Sequence, residues 1–220
     1  MIVRSLAFVV MLTFGFSAPV YAGAWPREDG TAFLAGHVRQ DTDNTDDKPV
    51  ISLYGEYGLT PQWVVAAKLE YDLQEEEVAY AKLAGRWHFP DAAGALRKAL
   101  SFGMEGSKDE QFLTPAIYFG RGFETRLGAG WFDVELNAKL STETWDAEYG
   151  AFALVGLKPH RKIMTMMGLD VKSGRDQRQV NVIPSLAWQY TPGRHVHLEW
   201  THALAGDNID EVAAGLWLEF

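Results

Sequence analysis

Three residues early in the chain, Ser52, His37 and Glu56, belong to the types that perform nucleophilic catalysis. A serine hydroxyl becomes a nucleophile when a histidine takes its proton and an acid orients that histidine. Ser52 and His37 stand at near-mirror positions about the polar stretch 41–48, so an antiparallel hairpin would make them cross-strand neighbours. The set permits a hydrolase, but the motif is not specific, because Ser and His are also ordinary residues of a polar strand face.

Two further groups of residues contain candidate ligands for a metal ion. His195 and His197 are two residues apart, which places both on one strand face, with Glu199 as the one further ligand. The segment 41–47 alternates oxygen-bearing side chains as a calcium loop does, but it lacks the Gly at the sixth position and the Glu at the twelfth. We therefore expect lining histidines and a solvated loop, with no metal and no cofactor.

The end of the chain shows what kind of element must position such residues. Between Glu211 and Phe220 two rows alternate, and Leu216, Leu218 and Phe220 fall on the wholly apolar row. Alternation with period two is typical of a β-strand with one buried face. No later segment of the chain covers this face, so we expect lipid to cover it.

The first 22 residues have the pattern of a secretory signal peptide. Arg4 is followed by an apolar run from Leu6 to Phe16 and then by small residues that precede a cleavage site after Ala22. The run is too short for a spanning helix, which needs about 20 residues. We predict a signal peptide at 1–22, with a second candidate cleavage site after Ala24.

Composition excludes several classes of protein. Removing 1–22 leaves 198 of the 220 residues, enough for one domain, and takes the net charge from −9 to −10 because Arg4 is lost. An acidic chain of this kind is poorly suited to nucleic acid. The chain has no Cys, which excludes disulfides and thiolate metal sites. No later stretch is apolar enough for a membrane helix, so a mature chain in a membrane has to form a closed barrel.

Turn signals divide the rest of the chain into twelve segments. The short turns are at 60–62, 90–94, 120–122, 158–160 and 191–193, and they alternate with longer polar stretches at 41–48, 73–77, 106–111, 142–148, 172–177 and 205–210. The strands predicted between them lie near 31–40, 50–59, 62–72, 78–89, 95–105, 112–120, 126–140, 149–157, 161–171, 178–190, 194–203 and 211–220. Short turns on one side and longer loops on the other are typical of transmembrane barrels. Ten strands is the alternative count, because the segment 126–140 is Gly-rich at its start and the segment 149–157 has no clear polar face.

The polar row of the strands contains both signs of charge. The residues predicted to face inward are Arg39, Glu56, Lys68, Glu70, Lys82, Arg86, Arg97, Glu105, Asp133, Glu135, Lys139, Lys162, Asp170, Lys172, His195, His197, Glu199, Glu211 and Glu219. Such a row lines either the lumen of a barrel or the solvated face of a soluble sandwich. Aromatic residues near the short turns, among them Trp63, Trp87, Phe123 and Trp188, favour the barrel, because such rings form a girdle at the membrane interface.

Together, the signal peptide, the alternating turns and the closing strand resemble those of small Gram-negative outer-membrane β-barrels of about twelve strands. The resemblance implies an all-β, up-and-down antiparallel transmembrane β-barrel over 31–220, preceded by a periplasmic amino-terminal segment at 23–30. It implies that the barrel-assembly machinery reads Leu216, Leu218 and Phe220. We also predict a monomer in contact with outer-membrane lipids and lipopolysaccharide, with no nucleic acid, no cofactor and no enzymatic activity.

Two functions fit such a barrel. Twelve-stranded channels that pass acidic sugars are similar in size, but they line their pores with basic ladders, which this chain lacks. We therefore predict a small-solute pore or a structural envelope protein with a mixed-charge lumen, in the outer membrane of a Gram-negative bacterium. The alternative is a lipid-modifying hydrolase, since outer-membrane lipid hydrolases place a Ser/His pair near the outer rim, as Ser52 and His37 with Glu56 would do. A soluble secreted β-protein is the third hypothesis.

Overall fold

The structure, a computed structural model, describes residues 23–42, 48–90, 96–174, 178–207 and 210–220, which are almost entirely β. The strands are β1 (Ala32–Asp41), β2 (Val50–Gly58), β3 (Trp63–Asp72), β4 (Glu77–His88), β5 (Arg97–Gly106), β6 (Gln111–Leu113), β7 (Ala116–Thr125), β8 (Gly128–Ser141), β9 (Ala147–His160), β10 (Ile163–Ser173), β11 (Arg178–Thr191), β12 (Arg194–Ala205) and β13 (Asp210–Glu219). Ten of the twelve predicted strands agree with these bounds to within two residues at each end. Among the described residues, no helix is long and apolar enough to cross a membrane.

The strands form one closed antiparallel barrel. Each strand of the wall pairs with its chain neighbours, and β1 closes the barrel by pairing with β13, from Phe33 opposite Glu219 to Asp41 opposite Glu211. β6 and β7 are two parts of one wall strand, because both pair with β5 and with β8. The interruption falls at Pro115, which lacks the N–H that a continuous ladder needs. The predicted twelve-stranded barrel is therefore confirmed, and the count of ten is wrong.

The barrel has two different ends. Connections of two residues, such as 126–127, 161–162 and 192–193, lie at the end that we call the turn end. The first and last strands also meet there, since Ala32 N donates to Phe220 O at 3.1 Å and Phe220 N donates to Ala32 O at 2.9 Å. The connections at the opposite end, the loop end, are four to eight residues long.

Two of the short turns lie later in the chain than predicted. Gly120 and Gly122 continue β7 and pair with β8, and the turn comes at 126–127. Glycine at position 120 serves packing rather than a turn, because a Cβ there would overlap the ring of Trp25. In the same way, the segment 158–160 completes β9 instead of turning.

Alternation separates the two faces of the wall. On β5, Ala99 and Ser101 are buried inside the barrel, whereas Leu100 and Phe102 are exposed on its outer face. Large apolar side chains stand outward all round the barrel, for example Leu34, Leu53, Leu83, Phe102, Val155, Leu198 and Leu216. An exposed apolar surface of this extent needs a cover, which a membrane supplies.

A packed core fills the turn half of the barrel interior. Its buried members are Phe33, Ala35, Trp131, Leu154, Met164, Met166, Ala187 and Trp217. Trp25, Tyr54 and Phe152 pack against this cluster. The inward residues of the loop half are mostly charged or polar instead, so the lumen is divided into a packed half and a polar half.

Candidate functional site in the barrel lumen

The loop half of the lumen holds a network of ion pairs. Its closest pairs are Lys68–Glu70 (2.7 Å), Arg39–Glu70 (2.9 Å), Lys82–Glu105 (3.1 Å), Lys139–Glu105 (3.1 Å) and Lys172–Asp170 (3.1 Å). The cationic side chains are partly exposed to the lumen, so water screens each pair and each contributes little stability alone. Each basic side chain of this network lies directly beside an acidic one, so these cations do not form a continuous basic row along the lumen.

A second, buried network surrounds Glu56 nearer the turn end. The Glu56 carboxylate forms ion pairs with Arg27 at 2.7 Å and with Arg86 at 2.9 Å. The Tyr54 hydroxyl donates a hydrogen bond to the same carboxylate at 2.5 Å. Arg86 also lies over the ring of Tyr118, 4.6 Å from its centre. Because these groups are buried, their interactions are screened less than those of the loop half.

The amino-terminal segment enters the turn half of the lumen. Within 23–30, the predicted periplasmic segment, residues 23–27 are buried or half-buried inside the barrel. Gly23 N and Ala24 N donate to the two carboxylate oxygens of Asp133, at 2.9 Å and 3.2 Å. Trp25 packs against both buried apolar clusters. Together with the ion pair of Arg27, these contacts make the segment a constriction in the lumen.

Three histidines and a tryptophan meet where the barrel closes. His37 of β1 and His197 of β12 both stand opposite Gly215 of β13, and their Nε2 and Nδ1 atoms are 2.9 Å apart. Trp217 donates from Nε1 to His37 Nε2 at 3.1 Å and stacks on His197 with ring centroids 3.9 Å apart. His195 packs edge-on against the same indole. All four side chains are buried, so the cluster ties both ends of the chain together.

The predicted catalytic set does not assemble. Ser52 stands directly opposite His37 in the β1–β2 register, but Nε2 of His37 faces His197 and Trp217. The carboxylate of Glu56 is taken by two arginines, so it does not orient His37. Ser52 and His37 are also buried in mid-strand rather than placed at a rim. A serine nucleophile needs an oriented base, and this arrangement does not provide one.

The residues predicted as metal-ligand candidates are lining residues in the structure. In the described ranges, no group of three or more His, Asp or Glu side chains is placed to hold a metal ion. His195 and His197 face inward and pack on Trp217, and Glu199 lines a cavity of the lumen. The candidate calcium loop at 41–47 lies almost wholly outside the described residues.

The other predicted lining residues have different positions. Glu135 and Asp170 line cavities of the lumen. Arg97 lies over the ring of Trp25, 5.7 Å from its centre, at the turn end. Lys162 does not reach the lumen, because β9 extends to residue 160 and leaves Lys162 in the exposed turn that follows.

Sequence reasoning missed the aromatic and amino-terminal residues that fill the turn half. Tyr54, Tyr118 and Trp217 all face inward, and the alternation of their strands could have placed them there. Trp25 and Arg27 carry no such signal, because the segment that holds them has no periodic pattern.

Comparison with solved structures shows the same architecture in several channels. The KdgM porin aligns with a TM-score of 0.69 and 7% identity, covering 86% of this chain and 99% of that chain. The NanC porin gives 0.67 and 9%, covering 86% and 98%, and the COG4313 outer membrane channel from Pseudomonas putida F1 gives 0.66 and 10%, covering 90% and 98%. This chain has the fold of a small outer-membrane channel. Neither a protein-family model nor a curated protein matches it, so the likeness is one of fold.

Two polar cavities run into the barrel from the loop end. The outer cavity, of about 560 Å³, is lined by the loop-half ion pairs. The inner cavity, of about 340 Å³, shares Arg39, Lys68 and Lys82 with the outer one and reaches Gly23 and Asp133. A polar path thus enters the lumen from the loop end and narrows where it meets the amino-terminal segment.

Proposed function

We propose that this protein is an outer-membrane channel of a Gram-negative envelope that passes small polar solutes, with a weak preference for cations. The supporting observation is the pair of polar cavities that leads from the loop end to the amino-terminal segment. Barrels of eight strands are filled by their own side chains, whereas larger barrels enclose cavities or channels. A twelve-stranded barrel with a polar loop half suits a narrow path.

The charges of the lumen set the proposed selectivity. Among the described residues that line its cavities, six are basic and nine are acidic. The five loop-half cations each have a carboxylate within 3.1 Å. Such a lumen attracts small cations weakly, and salt screens the attraction over a distance of about 10 Å at 0.1 M.

The paired cations also argue against a polyanionic solute. The KdgM porin in complex with disordered oligogalacturonate has a TM-score of 0.67 and 7% identity to this chain. Binding a polyanion requires cations that are free to contact it. In this chain the carboxylates of Glu70 and Glu105 would compete with such a ligand for those cations.

Single-channel recording of the refolded protein in a planar bilayer tests the proposal. We expect small, steady, ohmic steps and, in asymmetric KCl, a reversal potential that reports a modest preference for K⁺. Glu199→Lys changes the charge of the inner cavity, so it should lower the K⁺/Cl⁻ permeability ratio several-fold. Glu124→Lys makes the same change at an exposed position near the turn end and should leave the ratio unaltered.

The outcomes separate the remaining functions. A correctly folded barrel that gives no current steps would indicate a structural envelope protein. Release of the protein from membranes by an alkaline wash would indicate a soluble protein. A hydrolase predicts phospholipid cleavage that Ser52→Ala abolishes, whereas we expect no cleavage by either protein, because His37 and Glu56 are engaged elsewhere.

A further inference from the structure

Asp133 is a buried carboxylate whose hydrogen-bond partners are backbone nitrogens. The residue is 2% exposed, and its oxygens accept from Gly23 N at 2.9 Å and Ala24 N at 3.2 Å. Within the described part of the chain, no Lys, Arg or His side chain forms an ion pair with it. Arg86, which lines the same cavity, pairs with Glu56 instead. A buried carboxylate without a counter-charge is costly, so a positive group beside Asp133 would stabilise it.

The position next to Asp133 accepts only a residue without a side chain. A Cβ at position 23 would overlap the ring of Tyr118. The next residue, Ala24, is 1% exposed, and its carbonyl oxygen lies 3.3 Å from Nδ1 of His88. The site therefore holds the backbone of Gly23 and Ala24 closely and leaves their nitrogens directed at the carboxylate.

We propose that Asp133 is the binding site for the α-ammonium group that leader cleavage after Ala22 creates at Gly23. Water hydrolyses the Ala22–Gly23 peptide bond in that step, leaving a carboxylate on the leader and an amine on Gly23. The amine takes up a proton near neutral pH and becomes a cation. Because Gly23 N already lies 2.9 Å from the Asp133 carboxylate, the new charge forms an ion pair without rearrangement. Leader cleavage thus creates an ion pair that holds the amino-terminal segment inside the lumen.

The same geometry distinguishes the two cleavage sites that the sequence left open. Cleavage after Ala22 puts the ammonium group beside Asp133. Cleavage after Ala24 would remove both nitrogens that donate to Asp133 and would start the chain at Trp25. We therefore expect the protein isolated from envelopes to begin at Gly23, which its intact mass reports.

The test compares refolded barrels with defined first residues, released from a cleavable fusion. One begins at Gly23, and the other keeps Ala22, which moves the amine by one residue, about 3.8 Å, and retains the Gly23 N–H. Each is prepared with Asp133 and with Asp133→Asn, which removes the charge but keeps the shape. The two measurements are the labelling rate of the α-amine by an amino-terminus-selective aldehyde and the temperature of the heat-induced mobility shift.

We expect the folded barrel that begins at Gly23 to label at least tenfold more slowly than its heat-unfolded form. Asp133→Asn should restore most of the labelling rate and lower the mobility transition by several degrees in this barrel. In the barrel that begins at Ala22 the same substitution should change both values little, because the charges are already separated. Such non-additivity is the mark of a direct interaction.

Three results would overturn the proposal. They are equal labelling of the folded and unfolded barrels that begin at Gly23, equal effects of Asp133→Asn in both barrels, and an envelope protein that begins at Trp25. The first and third need no substituted protein, so they hold even if Asp133→Asn fails to fold. None of the measurements uses conductance, so a negative result for this ion pair would leave the proposed channel function unaffected.

Discussion

Replacing Glu56 with Gln tests whether the buried network holds the amino-terminal segment in place. The substitution keeps the shape of the side chain but removes the charge that pairs with Arg27 at 2.7 Å and Arg86 at 2.9 Å. The two arginine side chains are only 11% and 7% exposed, so both guanidinium groups would remain buried without a counter-charge. Arg27 can reach water if its segment loosens, whereas Arg86 is fixed on β4.

We expect Glu56→Gln to lower the free energy of unfolding by about 3–5 kcal/mol, the usual cost of removing one partner of a buried ion pair. A change of 1.4 kcal/mol is tenfold in an equilibrium constant, so the unfolding equilibrium constant should rise by roughly two to four powers of ten. If the segment loosens and Arg27 reaches water, the loss of free energy should lie near the lower end of this range. The substitution should also raise the single-channel conductance, because the segment that narrows the lumen loses its anchor.

Glu70→Gln is the matched control. Glu70 also pairs with two cations, Arg39 at 2.9 Å and Lys68 at 2.7 Å, but those side chains are 28% and 37% exposed. Water screens them, and we expect a loss of about 1 kcal/mol or less. Reversible denaturant unfolding in lipid vesicles, followed by tryptophan fluorescence, measures both variants. Equal losses for the two, or a Glu56→Gln barrel as stable as the wild type, would refute the reasoning.

Three other substitutions, the first with a matched control, test separate parts of the structure. Leu83→Arg places a charge on the outer face at a residue that is 61% exposed. We expect it to lower the free energy of unfolding in vesicles by about 2–4 kcal/mol. Leu59→Arg places the same charge in a turn and should change the free energy of unfolding by about 1 kcal/mol or less. Equal losses for Leu83→Arg and Leu59→Arg would contradict a membrane-covered wall. Trp217→Ala removes a fully buried indole, so the same assay should show a loss of about 3–5 kcal/mol, together with a higher conductance. An unchanged conductance would mean that this cluster does not limit the path. Phe220→Ala should lower the amount of protein assembled in the envelope, measured by immunoblot, while the refolded variant keeps wild-type conductance; normal envelope levels would argue against a role of the closing residue in assembly.

Local alternation was sufficient to predict the wall of the barrel. Period two determines which face of a strand a residue occupies, whatever lies next to it. Leu100 and Ser101 therefore face opposite sides of the wall, whereas Lys68 and Glu70, two residues apart and both predicted to face inward, lie on the same lumen face. The pattern failed at Gly120, because that glycine makes room for Trp25 rather than for a turn, and the partner comes from a distant segment.

Closure of the barrel decided which inward residues meet. His37 lies 160 residues from His197 and 180 from Trp217 along the chain, and they touch because β13 pairs with both β1 and β12. The segment 23–27 has no alternation, so nothing in its own sequence shows that it enters the lumen. Its position depends on Asp133 and Glu56, which two different strands present to the same space. Short-range periodicity was therefore enough to predict the wall from the sequence alone. The side chains that fill the lumen are decided by contacts across the closed barrel, and the sequence alone does not show them because they exist only once the strands have paired in register.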